Sequence, residues 1–246
     1  MRVAALYDVH GNLPALEAVL AELEDVRPDA VVVGGDVVLG PLPGESLDLL
    51  RALGEGARFI RGNTDRALAS GPPEDEPEGW RERHAFAVER LGPERLAFLR
   101  ALPETAVVDV DGLGPTLFCH GSPRGDEEIL TRASHEERLR PILAGVAERV
   151  VVCGHTHVQF DREALGHRLV NAGSVGMPYE ERPGAYWALF GPDVELRRTD
   201  YDFESAAARV RASGFPGAEE FAAENVLAPP RPEEATELFE RMASGP

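Results

Sequence analysis

In the first quarter of the chain, continuous apolar runs alternate with segments whose apolar residues recur at helical spacing. The run RVAALYDV at 2–9 is almost continuously apolar, which is typical of a strand buried on both faces. LPALEAVLAELEDV at 13–26 repeats apolar residues at helical spacing. AVVVGGD at 30–36 predicts a second buried strand, SLDLLRALGE at 46–55 a helix, and ARFIRGNTD at 57–65 a third strand. This β-α-β-α-β order indicates an α/β fold with a parallel sheet.

The pattern changes after Asp65. GPPEDEPEG at 71–79 is acidic and rich in proline, which predicts a loop. WRERHAFAVERL at 80–91 and PERLAFLRALP at 93–103 predict two short amphipathic helices. We therefore interpret residues 66–103 as a helical, cap-like insertion after the third strand, lying over the sheet edge.

The middle of the chain predicts further strands and one capped helix. TAVVDVDGLGPTLFCHG at 105–121 indicates a hairpin that turns at its glycines, and RVVVCGHTH at 149–157 a further buried strand. SHEERLRPILAGV predicts a helix that opens with a capping box formed by Ser134 and Glu137.

The last hundred residues predict a second sheet and a helical tail. Residues 159–174 and 184–201 are rich in strand-forming residues with glycine turns, so we expect a second sheet packed against the first. Residues 203–246 form a C-terminal helical segment interrupted by prolines at 229–232. The predicted fold class is α/β, a two-sheet β-sandwich flanked by helices, in a single domain of residues 1–246.

Composition restricts the cellular context and the partners. The first apolar run is too short for a secretory signal, and no stretch approaches the roughly 20 apolar residues of a membrane span. The two cysteines, Cys119 and Cys153, fit a reducing compartment, so we expect a cytoplasmic protein that does not bind membranes. The formal net charge of −18 argues against binding to long nucleic acid. The sequence leaves the oligomeric state open.

Five polar clusters share one arrangement: an apolar run, then residues of metal-ligand type, then a glycine or a turn. They are Asp8-Val9-His10, Gly35-Asp36, Gly62-Asn63-Thr64-Asp65, Cys119-His120-Gly121 and Gly154-His155-Thr156-His157. Because the carboxyl ends of parallel strands share one sheet edge, we expect the clusters to converge there. In an extended chain, the Asp-x-His and His-x-His partners would project from the same face. Such a set of Asp, Asn and His suits Mn, Fe, Co or Zn.

The chain resembles the calcineurin-like metallophosphoesterase superfamily over roughly residues 2–200. It carries the motifs of that superfamily in the same order, which are D-x-H, G-D, G-N-x-[DE], H-G and G-H-T-H. The resemblance implies a four-layer α/β/β/α fold and a dinuclear site. The seven implied ligands divide into a set for the first ion (Asp8, His10 and His157), a set for the second (Asn63, His120 and His155) and a bridging carboxylate (Asp36).

The resemblance also implies the reaction, which is hydrolysis of small phosphoesters by in-line attack of a metal-bridging hydroxide. Two divalent ions would bring four positive charges, and two aspartates and this hydroxide would offset three of them. The site would keep a net charge of about +1, which attracts phosphate. The catalytic residues would be Asp36, Asn63 and Asp65. Asn63 would also bind substrate, and so would Asn12, which could instead cap the following helix or present its start to a phosphate.

Thr64 occupies the position where the family's protein phosphatases carry a histidine that assists the leaving group. This disfavours a protein phosphatase, and the chain is more similar to the compact bacterial phosphodiesterases. The general acid stays open between Asp65, His84 and no protein acid at all.

Two questions remain open at the level of sequence. One alternative to an enzyme is a catalytically inert, metal-binding scaffold acting in protein interaction, as in some retromer-associated relatives; it predicts missing ligands, whereas all seven are present. The substrate could be a cyclic nucleotide, a dinucleoside polyphosphate, a small phosphomonoester or a nucleic-acid end. We expect residues 66–103 to determine specificity. The aromatic residues that could stack on a base are Tyr7, Trp80, Phe86 and Tyr179.

Overall fold

The computed structural model describes residues 1–71 and 77–245. The described strands are β1 (Val3–Leu6), β2 (Ala30–Val33), β3 (Ala57–Phe59), β4 (Thr105–Val110), β5 (Gly114–Cys119), β6 (Val150–Cys153), β7 (Phe160–Ala164), β8 (His167–Asn171), β9 (Ala185–Phe190) and β10 (Val194–Thr199). The described helices are α1 (Leu13–Val26), α2 (Pro43–Arg51), α3 (Asn63–Ser70), α4 (Glu78–Arg100), α5 (Glu136–Leu143), α6 (Phe203–Arg211), α7 (Ala218–Phe221) and α8 (Pro232–Ala243). A 3₁₀ turn spans Gly54–Gly56 and a π-helical turn spans Ala222–Leu227.

The strands form two mixed five-stranded sheets, in the orders β10-β9-β1-β2-β3 and β4-β5-β6-β8-β7. Strand β1 shows why its sequence is apolar throughout. Ala4 and Leu6 pack towards the helices, whereas Val3 and Ala5 pack towards the second sheet. Helices α1, α2 and α4 cover the first sheet, and α5 covers the second. The predicted α/β sandwich of two sheets flanked by helices is therefore confirmed.

The predicted insertion contains helix α4 and the larger part of helix α3, and these two helices match the prediction only in part. Helix α4 is interrupted at Gly92, where φ is 67°, so its two halves match the predicted helices at 80–91 and 93–103. Helix α3 replaces the end of the predicted third strand, which stops at Phe59. Most of the loop predicted at 71–79 lies outside the described residues. The division of the chain into an insertion and a C-terminal segment stays a prediction.

The predicted capping box at α5 is wrong. The helix begins at Glu136, and the position before it, His135, makes no side-chain cap bond in the described chain. The Ser134 hydroxyl instead accepts a hydrogen bond from the backbone N–H of Thr131 at 2.9 Å. Its oxygen is therefore occupied by the preceding turn.

Among the helices of residues 1–71 and 77–245, none combines the length and the hydrophobicity that a membrane span requires.

Candidate metal centre

The backbone is unusual at five of the seven predicted ligands, which have positive φ angles: Asp8 (53°), His10 (46°), Asp36 (52°), His155 (64°) and His157 (57°). This left-handed region costs a non-glycine residue about 1–2 kcal/mol. The i, i+2 pairs therefore converge through tight turns beyond the strands, and not from an extended chain as the sequence analysis expected. Backbone bonds hold the turns together, among them Asp8 N–H to Gly35 O at 3.1 Å and His10 N–H to Asp36 O at 2.9 Å.

The first group of metal-ligating atoms joins Asp8, His10 and His157, all buried. The Asp8 Oδ1 atom lies 3.9 Å from His10 Nε2 and 3.3 Å from His157 Nε2, and the two nitrogens lie 3.3 Å apart. Although Asp8 Oδ1 is buried, it has no hydrogen-bond partner among the described residues. An orphaned carboxylate oxygen facing imidazole nitrogens fits a cation site, because coordination would satisfy these atoms.

A second group joins Asp8, Asp36 and His120. His120 Nε2 lies 3.6 Å from Asp36 Oδ1, 3.8 Å from Asp8 Oδ1 and 3.0 Å from Asn63 Oδ1. Asp36 Oδ2 also lies 3.8 Å from His10 Nε2, so Asp36 lies between the two groups, and its role as a bridging carboxylate stays a prediction. Asp8 belongs to both groups, which the sequence did not predict. Burial opposes ionisation of Asp36, but His120 and His10 outweigh it and hold its pKa below the usual range.

His155 lies beside the second group and belongs to neither compact cluster of the described chain. Its ring centroid is 5.2 Å from that of His120, and its backbone N–H donates to Asp8 Oδ2 at 2.9 Å. Burial, reinforced by His120, lowers the pKa of His155 to about 4, so the ring is neutral at pH 7. A neutral imidazole has an unprotonated nitrogen, which a metal ligand needs, and the place of His155 in the second ligand set stays a prediction.

Three of the predicted histidine ligands are oriented by backbone carbonyl groups. The Nδ1 atoms of His10, His120 and His157 lie 3.2, 2.9 and 2.7 Å from the carbonyl oxygens of Leu39, Gly34 and Met177, respectively. A carbonyl oxygen only accepts, so each Nδ1 carries the hydrogen. The three Nε2 atoms therefore face the cluster, which is the orientation that outer hydrogen bonds give to metal-binding histidines.

Two glycines make room for the central carboxylates. A Cβ atom added to Gly62 would lie 2.1 Å from Asp36 Oδ1, and one added to Gly154 would lie 2.5 Å from Asp8 Oδ2. Both motifs, G-N-x-D and G-H-T-H, thus need glycine because a neighbouring strand end places its carboxylate directly against the backbone.

Asp65, predicted to be catalytic, accepts hydrogen bonds from the backbone. Its carboxylate is fully buried and accepts hydrogen bonds from the backbone N–H groups of Asp36 (2.8 Å), Val37 (3.1 Å) and Gly62 (3.1 Å). These three bonds fix the loops that carry Asp36 and Asn63. The role of Asp65 as a general acid stays a prediction.

Asn12 is also fully buried, and its predicted role in substrate binding stays a prediction. Its side-chain oxygen accepts from Ala15 N–H at 3.4 Å, and its amide donates to Gly176 O at 2.9 Å. The first bond confirms that Asn12 caps α1. Presentation of that helix start to a phosphate stays a prediction.

The other candidate acid and the nearby arginines are engaged elsewhere. His84 is buried in α4, where its Nε2 donates to the carbonyl oxygen of Ala67 at 3.3 Å. The arginines that flank the motifs form ion pairs with carboxylates: Arg61 with Glu104, Arg66 with Asp126 and Glu127, and Arg124 with Glu128.

Two residues that support the centre were not assigned a precise role from the sequence. Asn171 is fully buried, and its amide donates to Gly154 O at 2.7 Å and to Thr156 Oγ1 at 3.0 Å, which fixes the G-H-T-H turn. Ser174 Oγ donates to Asp8 O at 2.7 Å. The available signal was scarcity, because the chain contains only four asparagines and three of them fall in strand-end motifs.

A cavity of about 640 Å³ adjoins His10. Of the four aromatic residues considered for stacking, Trp80 and Tyr179 line it. Tyr7 is buried in the core between the sheets, and Phe86 packs against the C-terminal helices.

Comparisons with known proteins agree with this architecture. The model of the calcineurin-like phosphoesterase superfamily domain matches residues 1–190. The crystal structure of a metallophosphoesterase from Sphaerobacter thermophilus is 28% identical, covering 91% of this chain and 97% of that chain with a TM-score of 0.73. That of a hypothetical protein from Pyrococcus horikoshii OT3 is 23% identical, covering 93% and 99% with a TM-score of 0.80. An uncharacterized protein of Methanocaldococcus jannaschii is 24% identical over 243 residues, covering 87% of this chain and 93% of the relative. The chain therefore belongs to the calcineurin-like phosphoesterase superfamily.

Proposed function

We propose that this chain is a metal-dependent phosphoesterase that holds two divalent cations with the seven predicted ligands. The observation that carries the proposal is the environment of Asp8 Oδ1. This buried oxygen has no hydrogen-bond partner in the described residues and lies 3.3–3.9 Å from the Nε2 atoms of His10, His120 and His157. Without a cation, this buried carboxylate oxygen would stay unsatisfied.

When bound, two divalent cations would polarise the phosphate and acidify a water to near-neutral pKa. The chain itself supplies the charge balance. Asp8 and Asp36 offset two of the four positive charges, and the imidazole and amide ligands are neutral. The three flanking arginines are already paired with carboxylates, so attraction of a phosphate depends on the cations.

The described residues favour a reaction without a protein acid. Asp65 and His84, the two side chains considered for this role, are both engaged by backbone groups: Asp65 accepts from the N–H of Asp36, and His84 donates to the carbonyl oxygen of Ala67. A general acid typically contributes about 100- to 10,000-fold to a rate. We therefore expect phosphodiesters with a weakly basic leaving group, such as nitrophenolate, to be the better substrates.

The test is hydrolysis of bis(4-nitrophenyl) phosphate by purified protein supplied with Mn²⁺. Both H120A and D36N should abolish turnover and reduce bound metal, because H120A removes a ligand from the second group and D36N removes the negative charge of the proposed bridging carboxylate. H135A is the matched control, since His135 precedes α5 and belongs to neither ligand group. Activity retained in both ligand variants would refute the mechanism.

The same sample decides the scaffold hypothesis. Two bound ions per chain with no hydrolysis across mono- and diesters would favour an inert metal-binding protein. We expect instead a cytoplasmic enzyme that acts on small phosphoesters. The net charge of −18 favours small substrates, because it repels long polyanions.

A further inference from the structure

The cavity beside His10 has the volume of a small-molecule site, at about 640 Å³. Three parts of the chain enclose it: Trp80 and Arg83 of α4, the loop that holds Met177 and Tyr179, and residues between 215 and 242. We call this last part, residues 215–242, the C-terminal wall. It lies beyond the residues 1–190 that the family model matches.

The surface of the cavity is mainly apolar and includes His10, a predicted metal ligand. The Tyr179 ring lies 4.9 Å from the His157 ring at an angle of 30°, and Phe239 lies 6.4 Å from the His155 ring. The other apolar or aromatic lining residues include Leu39, Trp80, Phe215, Phe221, Leu238 and Met242. A group attached to a phosphorus at the cluster would therefore meet hydrocarbon.

The charged residues of the cavity are mainly acidic. Glu220, Glu224 and Glu234 line it, and Arg83 is the one arginine among its described lining residues. The Arg83 guanidinium pairs with Glu220 and lies 5.9 Å from the Phe215 ring centroid. Apart from His10, the lining thus has a formal charge of −2. A second phosphate or carboxylate on the substrate would be repelled.

The C-terminal wall is fastened to the rest of the protein at both ends. The Phe215 ring packs against Phe86 of α4 at 5.5 Å between centroids. At the other end, Glu240 Oε1 of α8 accepts hydrogen bonds from Arg138 and Thr131, both at 2.5 Å. Between them the π-helical turn Ala222–Leu227 contributes Glu224 to the cavity, and such turns are frequent at functional sites.

We infer that this cavity binds the ester substituent of the substrate, and that it selects singly charged phosphodiesters carrying an uncharged aromatic or apolar group. The inference rests on the proposed function. It disfavours dinucleoside polyphosphates and nucleic-acid ends, whose additional negative charges would face the three glutamates. The C-terminal wall would then determine part of the substrate specificity that the sequence predicted for residues 66–103.

Three 4-nitrophenyl diesters with one leaving group test the inference: the methyl, phenyl and 4-carboxyphenyl esters. In each, water adds to phosphorus and the bond to 4-nitrophenolate breaks, which leaves the methyl, phenyl or carboxyphenyl phosphate. Relative to the uncatalysed rates, we expect kcat/KM for the phenyl ester to exceed that for the methyl ester by about tenfold or more. The carboxyphenyl ester should be about tenfold poorer than the phenyl ester.

Two variants link these ratios to the cavity. L238A should lower the phenyl-to-methyl ratio severalfold, whereas L196A, a similarly exposed leucine on β10 outside the cavity, should leave it unchanged. E224Q should raise the relative rate of the carboxyphenyl ester. A phenyl-to-methyl ratio under tenfold, or ratios that L238A and E224Q do not move, would overturn the inference while the hydrolase assignment stands.

A separate readout applies if none of the esters is hydrolysed, which would refute the proposed function. Calorimetric titration of the Mn²⁺-loaded protein with phenylphosphonate and methylphosphonate then decides whether the cavity binds an aromatic substituent. Tighter binding of phenylphosphonate by about tenfold or more, weakened by L238A, supports the cavity. Equal binding of the two phosphonates overturns the inference as well.

Discussion

Replacement of Gly62 by alanine would test the placement of Asp36 with a single methyl group. The new Cβ atom would lie 2.1 Å from Asp36 Oδ1, 2.4 Å from Asp36 N and 2.8 Å from Asp36 Cγ, whereas real Cβ contacts essentially never fall below 3.0 Å. The carboxylate would have to move by about 0.9 Å. The backbone itself tolerates alanine, because Gly62 has φ −89° and ψ 173°. The three nearest contacts of the new Cβ atom are therefore all with Asp36.

The expected consequences of G62A follow from this displacement. Overpacking of a tight site costs about 1–3 kcal/mol in the free energy of unfolding. A shift of about 1 Å in a reacting group can reduce turnover about 100-fold. Bound metal should fall as well, since Asp36 stands between both ligand groups.

The assay combines three measurements on G62A and on G56A, a control position with open space around its Cβ. Urea denaturation gives the stability, metal analysis the bound Mn²⁺, and hydrolysis of bis(4-nitrophenyl) phosphate the activity. G56A should match the parent protein in all three. Metal content and turnover of G62A within twofold of the parent would refute the proposed position of Asp36.

Three further predictions follow from the same contacts. D65N replaces one acceptor oxygen by a donor against the backbone N–H groups, so urea denaturation should show a loss of about 2–4 kcal/mol, with the exposed D109N unchanged. N171A removes the bonds to Gly154 and Thr156, so Mn²⁺ titration should show affinity weakened about 10- to 100-fold; an unchanged titration curve would contradict this role. Without a protein acid, diesters that release phenolate should react more than about 100-fold slower than diesters that release 4-nitrophenolate. Similar rates for the two leaving groups would indicate that a protein acid takes part.

The sequence was most informative where a pattern was long or where a turn needed glycine. Helix α1 spans Leu13–Val26 as predicted, because apolar spacing over fourteen residues leaves little ambiguity. Helix α3 was missed because its eight residues begin inside a polar motif. The role of Ser134 depends on bonds to Thr131 and to Glu240, the second 106 residues distant, and local spacing contains no information about either.

The same distinction applies to the candidate site. The order of the motifs predicted which residues meet, and the structure brings Asp8, His10 and His157 together. The motif order could not predict that Asp65 would bond to three backbone amides, because two of those amides belong to a different strand end. The C-terminal wall was missed because residues 215–242 contain helical patterning and no chemical motif, and only folding brings them to the cavity.

The left-handed conformation of the five proposed ligands affects how mutational scans of this protein should be interpreted. A substitution by valine or isoleucine at Asp8 or His157 would fail on steric grounds even if the original side chain bound nothing. Glycine adopts this conformation freely and offers no side-chain ligand, so it separates loss of coordination from misfolding of the turn. A scan that uses glycine at these positions would therefore identify the ligands, whereas a random library would not distinguish an intolerant backbone from the loss of a ligand.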